Sequence, residues 1–231
     1  ISLIVLLVTA VITFNETLVI EEILLFNKSV IIDYLSSFMK IVTLLSAFFV
    51  LVISSNYLRT LKIFIIEYPI LILSSVLGMM VMISSNDLIV FYMGLELQSL
   101  ALYVLATFNR DQLKSSEAGL KYFVLSALSS GLLLYGCSLI YGFTGSTNFN
   151  LIANQLNSNE YALTFGIVFI LVGLAFKISA VPFHMWAPDV YEGSPTSVTL
   201  FFTMVPKIAA LTVFIRFLYV PFLNLIDQWQ M

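Results

Sequence analysis

The chain has 231 residues, of which 60% are hydrophobic and 10% are charged, with a formal net charge of −3. Soluble domains carry about 25% charged residues, so this composition predicts an all-α, polytopic membrane helix bundle. The small charge and the lack of a basic cluster argue against nucleic-acid binding. One cysteine and one histidine cannot build a disulfide framework, a zinc site, an iron–sulfur site or a bis-histidine haem site within the chain.

Apolar segments follow one another along the whole sequence. The opening run over residues 1–14 would form about 21 Å of helix against a hydrocarbon core of about 30 Å, so we expect residues before Ile1 or an unconventional start. A polar loop is predicted over 15–28. The further predicted spans are residues 31–56, 63–84, 88–108, 118–143, 162–192 and 197–219. Lysine and arginine in loops 57–62 and 109–117 predict that both loops face the inside.

The segment 162–192 is too long for one straight crossing, which needs about 20 residues. Pro182 removes a backbone donor and disfavours helical geometry in the residue before it. We therefore predict one discontinuous transmembrane helix, broken between about Ile178 and Pro182. The freed backbone groups must be received by protein or water, and Lys177 lies at this junction.

A second lysine, Lys207, lies inside the last predicted span. Ser194 followed by Pro195 has the pattern of an N-cap and a first helical residue, and Pro206 predicts a kink beside the lysine. An ammonium in the hydrocarbon region is disfavoured by about 2.5–3.5 kcal/mol, so such residues are functional candidates by default. Both intramembrane lysines are therefore candidate site residues.

Glu96 lies near the middle of the predicted span 88–108 and is the expected partner of Lys177. Helical spacing places three further polar residues on its face: Tyr92, Ser99 and Tyr103. A carboxylate and two lysines inside a membrane favour a proton relay, while a purely structural ion pair stays open as the alternative. His184 is a further relay candidate, because histidine exchanges protons near neutral pH; alternatively, it closes the helix break through a hydrogen bond.

Four stretches carry a resemblance to a known family. They are FYMGLELQSLALYVLATFNRD at 91–111, SSEAGLKYFVLSALSSGLLLYGCSLIYGFTGST at 115–147, LVGLAFKISAVPFHMWAPDVYEGSP at 171–195, and VPKIA at 205–209. Together they resemble the antiporter-like subunit family of respiratory complex I, and their wording is most similar to subunit 2 of mitochondrial NADH:ubiquinone oxidoreductase. The likeness extends over about residues 30–220.

The resemblance implies a proton-translocating subunit without a redox group of its own, in a complex whose other subunits hold NADH, FMN, iron–sulfur clusters and ubiquinone. It implies a multi-pass protein of the mitochondrial inner membrane, in contact with lipid and with other membrane-arm subunits. Glu96 is similar to the family's glutamate on helix 5, Lys177 to the lysine on the discontinuous helix 7, and Lys207 to the central lysine on helix 8.

The family scheme also divides the chain. It implies a partial N-terminal helix and polar loop at 1–30, a helix and loop at 31–62, the first five-helix repeat at 63–220, and a tail at 221–231. Family members continue through an inverted second repeat with a distal lysine or glutamate. We therefore expect a continuation or a separate polypeptide to supply that repeat. Two alternatives stay open: a structural subunit that no longer pumps, or a free-standing cation/proton antiporter subunit.

Overall fold

The computed structural model describes residues 1–17, 22–60, 66–155 and 160–223. Within these ranges the chain forms helices and one short antiparallel hairpin. The helices are α1 (Ser2–Thr17), α2 (Tyr34–Thr60), α3 (Glu67–Ile83), α4 (Leu88–Ala106), α5 (Leu113–Thr144), α6 (Phe149–Gln155), α7 (Glu160–Ile178), α8 (Trp186–Gly193) and α9 (Thr196–Tyr219). The hairpin strands are β1 (Ile23–Leu25) and β2 (Val30–Ile32).

A polytopic membrane bundle is confirmed by the length and composition of the helices. Of the described helices, α2, α4, α5 and α9 are long and apolar enough to cross a membrane. The apolar parts of α1, α3 and α7 are shorter. Large apolar side chains stay exposed on the bundle surface, including Leu120, Val124 and Leu128 along α5. Such a surface suits contact with lipid chains rather than water.

Several boundaries differ from the prediction. The region predicted as a polar loop over 15–28 contains the end of α1 and strand β1, and the loop after α5 contains α6. α5 begins at Leu113 rather than at 118, and its polar N-terminal part contains the exposed ion pair of Lys121 with Glu117 at 2.7 Å. Parts of four predicted features lie outside the described residues: loops 15–28 and 57–62, span 63–84 and the tail 221–231.

The start of α9 also differs. Ser194 caps the C-terminal end of α8, with its backbone N–H donating to the Val190 carbonyl at 3.0 Å, and Pro195 takes the N-cap position of α9. The predicted Ser194 cap was therefore wrong, because the helix begins one residue later and the buried Ser194 Oγ bonds to none of the described residues. The Pro195 carbonyl accepts from the backbone N–H of Val198 at 2.8 Å. α9 continues through Pro206 to Tyr219.

The start of α4, which carries Glu96, is fixed by a side-chain cap. Asp87 has extended geometry, and its Oδ1 accepts from the Ile89 backbone N–H at 2.8 Å, while Thr147 donates to its Oδ2 at 2.6 Å. An N-cap carboxylate satisfies an orphan helix donor and favours the positive end of the helix dipole. α4 therefore begins at Leu88, as predicted.

One buried ion pair joins α9 to the start of α2. Arg216 donates to Asp33 Oδ1 at 2.7 Å, and the arginine side chain is only 2% exposed. Burial raises the pKa of Asp33, but the Arg216 guanidinium and hydrogen bonds from Ser36 outweigh it, so the net pKa lies below the usual value. The carboxylate thus stays charged and holds the two helices together.

Glycines bring α3 and α4 into backbone contact. A Cβ at Gly94 would lie 2.8 Å from the Met82 backbone N and 3.0 Å from the Gly78 carbonyl oxygen. Small residues allow such close approach between membrane helices, where packing replaces the hydrophobic effect as the driving force. Since Glu96 follows Gly94 by two residues, this contact also fixes the depth and rotation of the carboxylate.

We expect Gly94→Ala to destabilise the bundle, because the added methyl group forces α3 and α4 apart at a cost of about 1–3 kcal/mol. The matched control is Gly131→Ala in α5, where a Cβ would meet nothing within 4 Å. Thermal unfolding in mild detergent measures both variants. Equal midpoints would show that the glycine contact does not contribute to stability.

Candidate functional site

The predicted helix break is confirmed. α7 ends at Ile178 and α8 begins at Trp186, so the interruption extends three residues beyond Pro182. Ser179 has φ of 64°, the left-handed conformation that commonly terminates helices and that a non-glycine residue adopts only at some cost. The break therefore follows Lys177 by one residue, and the ammonium-bearing side chain leaves from the last turn of α7.

Protein groups receive the carbonyls freed at this break. The Phe176 carbonyl accepts from the Ser179 backbone N–H at 3.1 Å and from the indole Nε1–H of Trp186 at 3.0 Å, and Ala180 N–H donates to the Ala175 carbonyl at 2.8 Å. Trp186 is 3% exposed. Its indole thus anchors the start of α8 to the end of α7, a role that sequence analysis missed.

Lys177 is buried among hydroxyl groups from two other helices. Its Nζ donates to Ser99 Oγ of α4 at 2.8 Å and to Ser126 Oγ of α5 at 2.6 Å. The Tyr103 hydroxyl donates to the same Ser126 oxygen at 2.7 Å. Since Lys177 also lies in the last turn of α7, the partial negative charge of the helix C-terminus favours its ammonium.

Glu96, the expected partner of Lys177, forms no direct bond with it, and a contact through water stays a prediction. No ion pair within 4.0 Å joins the two residues, and Glu96 Oε1 is buried without a hydrogen-bond partner in the described part of the chain. Ser99, one helical turn further along α4, is the group that α4 presents to the ammonium instead. The carboxylate is close enough to interact electrostatically with the lysine, although no direct bond joins the two.

Lys207 lies at the other end of a row of aromatic rings. Its Nζ is 5.6 Å from the Tyr191 ring centroid, and Lys177 Nζ is 6.0 Å from that of Tyr103. Between these two rings lie the rings of Tyr122 and Trp186, with successive centroids 5.0, 4.7 and 5.9 Å apart from Tyr103 to Tyr191. The structure thus places the two lysines on one aromatic row and does not bring them into contact.

His184 lies within the break and is exposed. Its backbone carbonyl accepts from the Ala187 N–H at 3.0 Å, whereas its imidazole forms no hydrogen bond or ion pair with either lysine. Both predicted roles of His184, proton relay and closure of the break through a hydrogen bond, stay predictions. The indole of Trp186, rather than the imidazole, forms a hydrogen bond across the break.

The far end of α8 is tied to the polar start of α5. Lys121 pairs with Asp189 at 2.7 Å and Lys114 with Glu192 at 3.0 Å, all four being well exposed. Exposed pairs of this kind contribute about 0–1 kcal/mol each. Their main consequence is that they position α8 against α5, with charged side chains beside the helix break.

This arrangement defines a class of membrane protein: an antiporter-like helix bundle with a discontinuous helix that ends at a buried lysine. The chain belongs to the NADH:quinone oxidoreductase/Mrp antiporter transmembrane family, whose model matches residues 85–231. It is 76% identical over 225 residues to NADH-quinone oxidoreductase subunit N of Pelagibacter ubique, covering 97% of this chain and 48% of that protein.

Solved structures agree with this fold. A chain of respiratory complex I from Thermus thermophilus matches with a TM-score of 0.79 and 30% identity, covering 93% of this chain and 46% of that one. A chain of an archaeal membrane-bound sulfane sulfur reductase shares the fold with a TM-score of 0.83 and 24% identity, over 98% of this chain and 50% of that one. The chain spans about half the length of the curated relatives it matches.

Proposed function

We propose that this chain is a membrane-arm subunit of an NADH:quinone oxidoreductase, respiratory complex I, and that it contributes a half-channel for proton translocation. The family match and the identity to subunit N support the assignment. One structural observation carries it: Lys177 is 7% exposed, and its ammonium is held by neutral hydroxyls rather than by a carboxylate. A buried lysine not locked in an ion pair can exchange its proton.

In this proposal Lys177 is the proton carrier and Glu96 is its electrostatic partner. At an effective dielectric near 20, unit charges about 4 Å apart interact by about 4 kcal/mol. Movement of the ammonium from the serine hydroxyls towards Glu96 therefore stabilises its charged form strongly relative to the neutral amine. Lys207 passes the proton on, and His184 is a candidate for exchange with the surface because it lies exposed in the break.

The whole complex supplies what this chain does not carry. We expect a continuation or a second polypeptide to provide the inverted second repeat, and other subunits to provide NADH oxidation, FMN, the iron–sulfur clusters and ubiquinone reduction. The mitochondrial inner membrane, predicted from the wording of the sequence, stays a prediction. The relatives named above are bacterial or archaeal, which favours a prokaryotic membrane.

Purification tests the assignment. Membranes that contain this chain are solubilised in mild detergent and separated on a native gel stained for NADH oxidation, and the chain is located with an antibody. We expect it in the NADH-oxidising band, together with the polypeptide that carries the second repeat. A chain that migrates apart from every NADH-oxidising complex would support the free-standing antiporter. Comigration without any dependence of pumping on Lys177 would support the structural subunit.

A further inference from the structure

Ser126 is the meeting point of the hydrogen bonds around Lys177. Its Oγ accepts from Lys177 Nζ and from the Tyr103 hydroxyl, and no bond donated by its own hydroxyl is formed among the described residues. Ser126 is fully buried and Tyr103 is 8% exposed. A hydroxyl carries one hydrogen and two acceptor lone pairs, and that hydrogen rotates to suit its neighbours. The Ser126–Tyr103 bond can therefore run in either direction.

Ser99 differs from Ser126 although both contact the same ammonium. Its hydroxyl donates to the Leu95 carbonyl at 2.7 Å while its oxygen accepts from Lys177. The Ser99 hydrogen is thus bonded within its own helix, and the geometric hydrogen bond of the Tyr103 hydroxyl goes to Ser126. Ser99 holds the lysine, whereas Ser126 connects the lysine to a second hydroxyl.

We infer that Ser126 and Tyr103 form a two-hydroxyl proton wire that delivers protons to Lys177 and removes them. The inference rests on the proposed function and names further residues for it. The Ser126–Tyr103 hydrogen bond first reverses, so that Ser126 donates to the Tyr103 oxygen and the Tyr103 hydrogen turns to a water molecule. When the ammonium then loses its proton, an N–H bond of Lys177 breaks and a new O–H bond forms on Ser126. The former Ser126 hydrogen passes to the Tyr103 oxygen, and the former Tyr103 hydrogen leaves to a water molecule.

After this transfer, the directions of the hydrogen bonds suit the neutral form of Lys177. Tyr103 then donates to Ser126, and Ser126 donates to the lone pair of the neutral Lys177 amine. The Tyr103 ring is held in place by ring contacts with Tyr122 and Phe123 at centroid distances of 5.0 and 5.5 Å. Its hydroxyl therefore keeps its position in both charge states, as a wire requires.

The test compares proton pumping per NADH oxidised in vesicles that carry the assembled complex. We expect Ser126→Ala and Tyr103→Phe to lower this ratio to the value of Lys177→Ala, and the double variant to lower it no further, because both hydroxyls serve one path. Ser126→Thr, which keeps the hydroxyl, should restore pumping, and Ser99→Ala should lower the ratio less than Ser126→Ala does. The matched control is Ser138→Ala on the same helix, whose exposed hydroxyl donates to the Tyr135 carbonyl at 2.7 Å.

Two outcomes would overturn the wire. Equal losses in Ser99→Ala and Ser126→Ala would mean that the hydroxyls only hold the ammonium, and a wild-type ratio in Tyr103→Phe would mean that the path does not pass through the phenol. Tyr103→Phe keeps the ring packing, so it decides the question even if Ser126→Ala fails to assemble. If Lys177→Ala itself pumps normally, the proposed function fails rather than the wire.

Discussion

An assembled complex carrying Lys177→Ala should oxidise NADH while pumping fewer protons per NADH oxidised. Alanine removes the proton carrier without adding a charge, so the serines around it lose a partner but α4, α5 and α7 keep their contacts. Loss of a positioned proton-transfer group costs about 100- to 10,000-fold in rate, so transfer through this chain should become negligible. Proton uptake by reconstituted vesicles and NADH absorbance, recorded together, measure the ratio.

The matched control for this variant is Lys121→Ala, which removes an exposed lysine paired with Glu117 and Asp189. It should leave the ratio unchanged, because exposed pairs contribute little and the residue does not face the hydroxyls. An unchanged ratio of protons pumped per NADH oxidised in the assembled Lys177→Ala complex would contradict the relay. It would favour the alternative of a structural subunit that no longer pumps. A loss in both variants would indicate a general effect of removing positive charge.

The helix break and its lysine were predictable because their cause is local. Pro182 and the length of segment 162–192 both act within one stretch of chain. Helical spacing likewise placed Ser99 and Tyr103 on one face of α4, and the structure brings both to Lys177. These features depend on covalent geometry and periodicity, which a single sequence contains.

The partners from other helices were not predictable in the same way. Ser126 and Trp186 reach their positions only through the packing of α4, α5, α7 and α8, and nothing in their own stretches distinguishes Ser126 from Ser129 or Ser130. The hairpin was missed because its turn residues, Phe26, Asn27 and Lys28, adopt positive φ without a glycine, so the usual turn signature is absent. Tertiary contacts impose these conformations.

The same limit applies to Glu96, the expected partner of Lys177. Opposite charges in one bundle predicted a direct or water-mediated pair, and the direct bonds of the buried ammonium go to two serine oxygens. Hydroxyls solvate an ammonium without fixing its charge state, whereas a carboxylate in contact would hold it charged. This arrangement predicts a longer-range role for Glu96, which can be tested by removing its charge alone.

Glu96→Gln should reduce proton pumping while the complex assembles, because glutamine keeps the shape of the side chain and removes only its negative charge. Even at about 8 Å and an effective dielectric of 20, that charge stabilises the ammonium form of the lysine by about 2 kcal/mol relative to the neutral amine. This corresponds to roughly thirtyfold in the ratio of the two protonation states. We expect partial loss, smaller than in Lys177→Ala, and no further loss in the double variant. Glu117→Gln, at the exposed start of α5, is the control. The vesicle assay described above measures each variant, and additive losses in the double variant would show that Glu96 acts on a path independent of Lys177.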